Sequence, residues 1–290
     1  MKNSESIKQV VKDKYSEIAD QDKALNQSSC CGAGGCSTEV YNIMSDSYDN
    51  LSGYEPDADL GLGCGLPTEF AQIKKGDTVI DLGSGAGNDC FVARSVVGDT
   101  GRVIGIDFTP RMIAKARENA LKLGYNNVEF REGDIENMPV LDAEADVVVS
   151  NCVLNLVPDK RAVIKEIFRA LKPGGHFSIS DIVLEGELPE ALRQDAEMYA
   201  GCVAGAIQKN EYLNFIRDAG FEAISVQKEK TINIPDDILK KYLTKDGIES
   251  MRNGTTGIFS ITVYAEKPGV KAEKEIEPEA ACCAPGSGCC

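Results

Sequence analysis

The chain is short of histidine, of long apolar runs and of bases, and each shortage removes a class of function. Its one histidine, His176, follows Pro173-Gly174-Gly175 at the start of an expected strand, where it reads as structural rather than as a general base. The longest nearly uncharged stretch, 147–158, is broken by Ser150, Asn151 and Asn155, and it falls well short of the roughly 20 apolar residues that span a bilayer. The opening MKNSESIKQVVKDKYSEIAD holds no apolar signal region. These features lead us to expect a soluble, cytoplasmic protein with no membrane partner. With 31 Lys and Arg against 46 Asp and Glu, the net charge of -15 repels phosphate backbones, so nucleic acid is not expected as a partner. A chain of 290 residues with 42% hydrophobic content is long enough to bury a core and fits one main domain with appendages.

Cysteine, by contrast, is plentiful. Eleven thiols, an odd number, in a chain without a secretory signal argue against a disulfide framework and for metal, metalloid or redox chemistry. Residues 30–36 read CCGAGGC and residues 282–290 read CCAPGSGCC, segments too rich in small residues to build a core. Between them lie Cys64, Cys90, Cys152 and Cys202. Cys90 sits on the apolar face of an expected helix and reads as an inert core thiol.

Residues 7–19 place Ile7, Val10, Val11, Tyr15 and Ile18 at helical spacing. From Thr78 onward, strand, turn and helix repeat: TVIDL, GSGAGND opening a helix, RVIGID, TPRMIAKARENALKLG, NVEFREGD, ADVVVSN, PDKRAVIKEIFRALKPGG and HFSISDIVL. Strands alternating with amphipathic helices predict an α/β fold with a mostly parallel, doubly wound sheet. Thr109 is the expected N-cap of the second helix, with Pro110 at its first position and Gly124 at its end, while Pro173-Gly174-Gly175 ends the third. After Leu188 the pattern predicts helices over 191–206 and 210–219, then strands near 224–230 and 259–265 that return to the sheet after an inserted region. The expected division is an N-terminal helical and cysteine-containing region (1–73), a Rossmann-like core (74–187), an inserted substrate-binding region with return strands (188–268) and a cysteine-rich tail (269–290).

The run IDLGSGAGND ends a strand at Asp81 and continues through Gly83, Ser84, Gly85 and Gly87. Glycines let the backbone approach a ligand, and the helix that follows offers it free N–H groups. Asp107, closing the second strand, lies where an acid accepts hydrogen bonds from ribose hydroxyls, or where a carboxylate caps a helix. The order G-x-G-x-G with an acid two residues upstream, followed by GIDFTPRM, GDIENMP and LKPGG, resembles the class I S-adenosylmethionine-dependent methyltransferases over residues 74–184. The resemblance implies that Asp81 and the Gly83–Gly87 loop hold the methionine portion, Asp107 and Phe108 the ribose side, Asp134 and Ile135 the adenine, and that Asn151 forms the far wall.

Cys152 directly follows the fourth strand, on the side of a parallel sheet where ligands collect. Several soft thiols near one methyl donor point to a soft acceptor. The cysteine-rich ends, LGLGCGLPTEFAQIKKGDTVIDLGSGAGNDCFVA, SNCVLNLVPDK and GCVAGA together resemble the arsenite S-adenosylmethionine methyltransferases over nearly the whole chain. That resemblance implies that Cys152 and Cys202 grip trivalent arsenic, with Cys64 as third ligand or disulfide partner. Cys36 would be an auxiliary redox thiol, in competition with Cys30 and Cys31. Arsenite and methylarsenite are the implied acceptors, methylated arsenicals the products of detoxification, and a thioredoxin- or glutathione-type thiol system the implied reductant. The tail CCAPGSGCC reads either as a metalloid-delivering arm or as a dispensable soft-ion binder. Two alternatives stand beside this reading: a small-molecule or quinone C-methyltransferase whose pocket happens to contain thiols, and a non-enzymatic thiol metalloid-binding protein.

Overall fold

A computed structural model describes residues 4–20, 46–186, 205–232, 239–253 and 257–270. Both cysteine-rich segments, Cys36, Cys202 and most of the helix expected over 191–206 lie outside these residues, and Gly205 and Ala206, at its expected end, are not helical.

Seven strands form one sheet: β1 (Thr78–Leu82), β2 (Arg102–Asp107), β3 (Val128–Glu132), β4 (Ala145–Asn151), β5 (Leu171–Glu185), β6 (Glu222–Thr231) and β7 (Gly257–Glu266), in the order β3-β2-β1-β4-β5-β7-β6. The first five pair in parallel and β7 runs antiparallel to both of its neighbours. This is the Rossmann-like, mostly parallel sheet that the repeating strand–helix pattern predicts. Its central strands have residues such as Val79, Ile80, Val147 and Val148 fully buried on both faces, which explains why they read as continuous apolar runs rather than alternating ones.

Helix α2 (Pro67–Phe70) is a single turn ahead of β1. Helices α3 (Asn88–Val97), α4 (Pro110–Leu123) and α5 (Lys160–Ala170) make the crossovers, and α6 (Lys209–Asp218) and α7 (Lys245–Asn253) belong to the return half. Thr109 is the N-cap of α4 and Gly124, at φ 67°, its C-cap, but the Thr109 hydroxyl makes no capping bond. Asp107 Oδ1 accepts from the Thr109 N–H at 2.8 Å, which fixes the turn leading into α4. Helix α5 ends at Ala170, and Pro173-Gly174-Gly175 belongs to the start of β5. Leu171 already pairs with Ala145, and β7's extension takes up the turn, Gly174 N–H donating to Lys267 O at 3.0 Å and Lys267 N–H to Gly175 O at 2.8 Å. The strand starts early because backbone partners exist on both sides.

The N-terminal helix α1 (Ser4–Ala19) packs on the body through Val11 and Ile18, 1% and 2% exposed. Burying each such aliphatic chain contributes roughly 1.5–3 kcal/mol. Lys115 Nζ donates to Ala19 O at 3.0 Å and Arg111 pairs with Asp20, so the helix end is tied to α4. No described helix is long and apolar enough to cross a membrane.

Candidate active site

The strand order reverses between β1 and β4, and a cleft opens there beyond their carboxyl ends. It encloses about 1070 Å³ of atom-free space, its open mouth included, and α1 borders it with Lys8, Val11 and Tyr15. Of the sequence-predicted residues, Asp81, Gly83, Ser84, Gly85, Asp107, Phe108, Asp134, Ile135, Asn151 and Cys152 line it. Gly87 stands behind the loop as the left-handed N-cap of α3, where a Cβ would come within 2.8 Å of Phe91 and 2.9 Å of Phe130. Gly85, at φ 51°, has nothing within 4 Å of the point a Cβ would occupy, so it leaves the loop backbone open to a ligand.

Among the described residues, five aspartates line the cleft, Asp59, Asp81, Asp89, Asp107 and Asp134, against one base, Lys8. Lys8 is committed to Asp134, at 2.6 Å, and to Glu136. Burial pulls its ammonium down, but the hydrogen bonds and charges of those two carboxylates outweigh it and hold the pKa above its ordinary value. Burial pushes the Asp81 carboxyl well up, helped by neighbouring Asp89 and opposed by the Cys90 thiol, which donates to Asp81 Oδ2 at 3.2 Å. Asp107 is also raised by burial, against the backbone N–H groups of Thr109 and of Gly85, the latter at 3.0 Å. Burial raises Asp89 to about 6, against hydrogen bonds from Tyr48 and Asn151. Such a set favours a cationic guest.

The buried Ser84 Oγ, Asn88 Oδ1 and Asp89 Oδ1 have no hydrogen-bond partner among the described residues and belong to cleft-lining residues. Unmet polar demand beside an acidic, glycine-floored cleft fits a nucleoside cofactor that carries positive charge.

At the inner end, Asn151 is a hub. Its Oδ1 accepts from the N–H groups of Cys64 at 2.9 Å and Gly65 at 3.3 Å, while Nδ2 donates to Gly65 O at 2.8 Å, to Asp89 Oδ2 at 3.3 Å and to the Tyr48 hydroxyl. It therefore pins the Cys64 loop to the end of β4. From the other side, Ser260 Oγ donates to Cys64 O at 2.5 Å. Cys152 adopts φ 62°, uncommon for a residue with a Cβ, and its N–H is held by Ser180 O at 2.8 Å. Cys64 and Cys152, 0% and 4% exposed, join one apolar cluster with Ile182, Leu184 and α1's Val11. Neither is in a disulfide. Among the described residues, no three His, Cys, Asp or Glu side chains converge as a metal site; of the three expected arsenic ligands, two are described and share this cluster.

Gly65 allows that close approach, since a Cβ there would lie 2.5 Å from Ser180 Oγ and 2.7 Å from its Cβ. Gly65→Ala is expected to cost about 1–3 kcal/mol through overpacking, read as a lowered thermal midpoint, and to displace the Cys64 loop.

Sequence reasoning missed Lys8, Tyr48, Asp59 and Asp89. Asp89 alone left a local signal, as an acid just after the glycine loop.

Fold and cleft together define an S-adenosylmethionine-dependent methyltransferase. A methyltransferase-domain family model matches residues 73–220. The arsenite methyltransferase of Halobacterium salinarum is 40% identical over 87% of this chain and 68% of its own length. That of Aquipseudomonas alcaligenes is 35% identical over 80% of this chain and 67% of its own. The crystal structure of an arsenic(III) S-adenosylmethionine methyltransferase from Chlamydomonas reinhardtii superposes with a TM-score of 0.62 at 31% identity, covering 83% of this chain and 77% of that one. The chain belongs to the arsenite methyltransferase family.

The cofactor's charge gives a pH prediction. Below about 6 the buried Asp89 carboxyl is neutral, and above it ionised. A cation binds the ionised form better, so cofactor affinity should rise with pH through about 6 and then level off. Titration calorimetry across that range checks it; a flat profile contradicts it. Without cofactor the sign reverses: stability held by the protonated carboxyl is complete below its unfolded pKa and is lost as pH rises through about 6.

Proposed function

We propose that this protein transfers methyl groups from S-adenosylmethionine to trivalent arsenic held by thiolates, with arsenite and methylarsenite as acceptors and methylated arsenicals as products of detoxification. The observation that carries the reading is the gathering of Cys64 and Cys152 at the inner end of the cofactor cleft, with Cys152 itself in the lining. The family relationship supports the choice of acceptor.

When bound, S-adenosylmethionine supplies a methyl group activated on a sulfonium sulfur. Asp81 and the Gly83–Gly87 loop orient its methionine arm, Asp107 and Phe108 its ribose, Asp134 and Ile135 its adenine. Asn151 closes the inner wall and carries the Cys64 loop. Cys152 and Cys202, with Cys64 as third ligand or disulfide partner, bind arsenic through soft thiolates and leave its lone pair intact. Held there, the lone pair would form the As–C bond as the S–CH3 bond broke, the bonding pair passing to the thioether sulfur. Positioning supplies most of the catalysis and no general base is needed, consistent with a structural His176 that stands on Ala71 O at 2.6 Å. Arsenic is formally oxidised to the pentavalent state, and two electrons return when a cysteine pair closes to a disulfide. Cys36, or Cys30 or Cys31, serves that pair, and an external thioredoxin- or glutathione-type thiol reopens it.

Incubating the protein with arsenite, S-adenosylmethionine and a thiol reductant, then separating arsenic species by mass, tests the proposal. Methylated arsenicals are expected; unchanged arsenite would refute it. The site's soluble reactants fit a cytoplasmic location.

A further inference from the structure

Asp89 was not among the expected cofactor contacts, yet its carboxylate lines the cleft with one oxygen held by the protein and the other unpartnered among the described residues. It is 9% exposed and lies in the first turn of α3. One oxygen, Oδ2, takes the Tyr48 hydroxyl at 2.9 Å and Asn151 Nδ2 at 3.3 Å. The other, Oδ1, is buried without a partner among the described residues, in a residue that lines the cleft. Leaving a buried carboxylate oxygen unsatisfied is costly, while a fixed acceptor of this kind binds a matching donor strongly because it needs no reorganisation.

The other acids are differently engaged, Asp59 accepting from the Tyr54 hydroxyl at 3.0 Å and the Gly61 N–H at 2.9 Å. Asp107 accepts backbone N–H groups at both oxygens, Asp81 takes the Cys90 thiol, and Asp134 holds Lys8. The cleft's one lysine is thus spent at the rim.

We infer that Asp89 is a further cofactor-binding residue whose Oδ1 receives the ammonium group of the cofactor's amino-acid arm. Two cationic centres are available on S-adenosylmethionine, and the acceptor distinguishes them chemically. The sulfonium has no N–H and would leave Oδ1 without a hydrogen bond; the ammonium carries three donors. The inference rests on the use of S-adenosylmethionine and is independent of the acceptor. Through Oδ2, Tyr48 and Asn151, the same carboxylate also braces the loop that carries Cys64, so the arm of the cofactor and the thiol loop share one support.

The test is calorimetric binding of three ligands to the full-length wild type and to Asp89→Asn: S-adenosylmethionine, S-adenosylhomocysteine, which keeps the ammonium without the sulfonium charge, and 5′-methylthioadenosine, which lacks the amino-acid arm. Asp89→Asn should weaken the first two equally, by about 10- to 100-fold, and change the third by less than about twofold. The retained nucleoside binding reports an intact cleft. Loss confined to S-adenosylmethionine would assign the carboxylate to the sulfonium and overturn the inference. So would an equal loss for all three ligands, which would make Asp89 a support for cleft shape, or no loss for any. If the wild type bound neither S-adenosylmethionine nor S-adenosylhomocysteine, the functional reading itself would fail.

Discussion

Cys152→Ser is expected to lower the rate of arsenic methylation by at least about 100-fold while leaving S-adenosylmethionine affinity within about twofold. A serine hydroxyl is hard and poorly ionised near neutrality, so it does not replace thiolate as an arsenic ligand. The substitution is nearly isosteric and leaves the backbone features at residue 152, the Ser180 carbonyl and the left-handed turn, in place, so the loop should persist. Methyl-transfer kinetics with labelled cofactor, alongside calorimetric cofactor binding, separates the two effects. A quinone or other small-molecule C-methyltransferase would tolerate this change, and retained turnover on arsenite in both Cys152→Ser and Cys202→Ser would reject the acceptor site. A thiol buffer would bind arsenite and transfer nothing.

The second large effect belongs to Asp107. Asp107→Ala should weaken S-adenosylmethionine binding by about 30-fold or more, since charge-assisted hydrogen bonds each contribute roughly 1.5–3 kcal/mol. Two losses combine in it. The carboxylate holds the Gly85 N–H at 3.0 Å and so fixes the glycine loop, and it holds the turn into α4 at the Thr109 N–H. Asp107 also lines the cleft, so one carboxylate can brace the turn into α4 and face the cofactor. Asp107→Asn should recover part of the affinity, because one oxygen acceptor survives. Calorimetry on both variants checks this; an Ala variant that binds like wild type would remove Asp107 from the cofactor site.

The parallel core was legible because its information is local. Each strand runs into its own turn and helix, and burial on both faces marks the strands as apolar runs. Asp107 could be placed from its position at the carboxyl end of a strand, where ligands collect, whereas Asp81, Asp134 and Asn151 came only with the family resemblance; all four line the cleft. Partnerships across the chain were not legible. Lys8 meets Asp134 over 126 positions and Tyr48 meets Asn151 over 103, and no spacing rule connects such residues. Thr109 is the N-cap its position suggests, but its hydroxyl makes no capping bond and its N–H is engaged by Asp107, a choice of hydrogen-bond partner that propensity does not encode. Cys90 is the buried core thiol the sequence suggests, and its bond to Asp81 is visible only once α3 has folded back on β1.

Arsenic K-edge X-ray absorption on the protein loaded with one equivalent of arsenite tests the central claim most directly. The account predicts that oxygen neighbours give way to sulfur neighbours at the arsenic, and that Cys152→Ser loses at least one of them. An arsenic still surrounded by oxygen in the wild type, or a sulfur shell unchanged by Cys152→Ser, would contradict it.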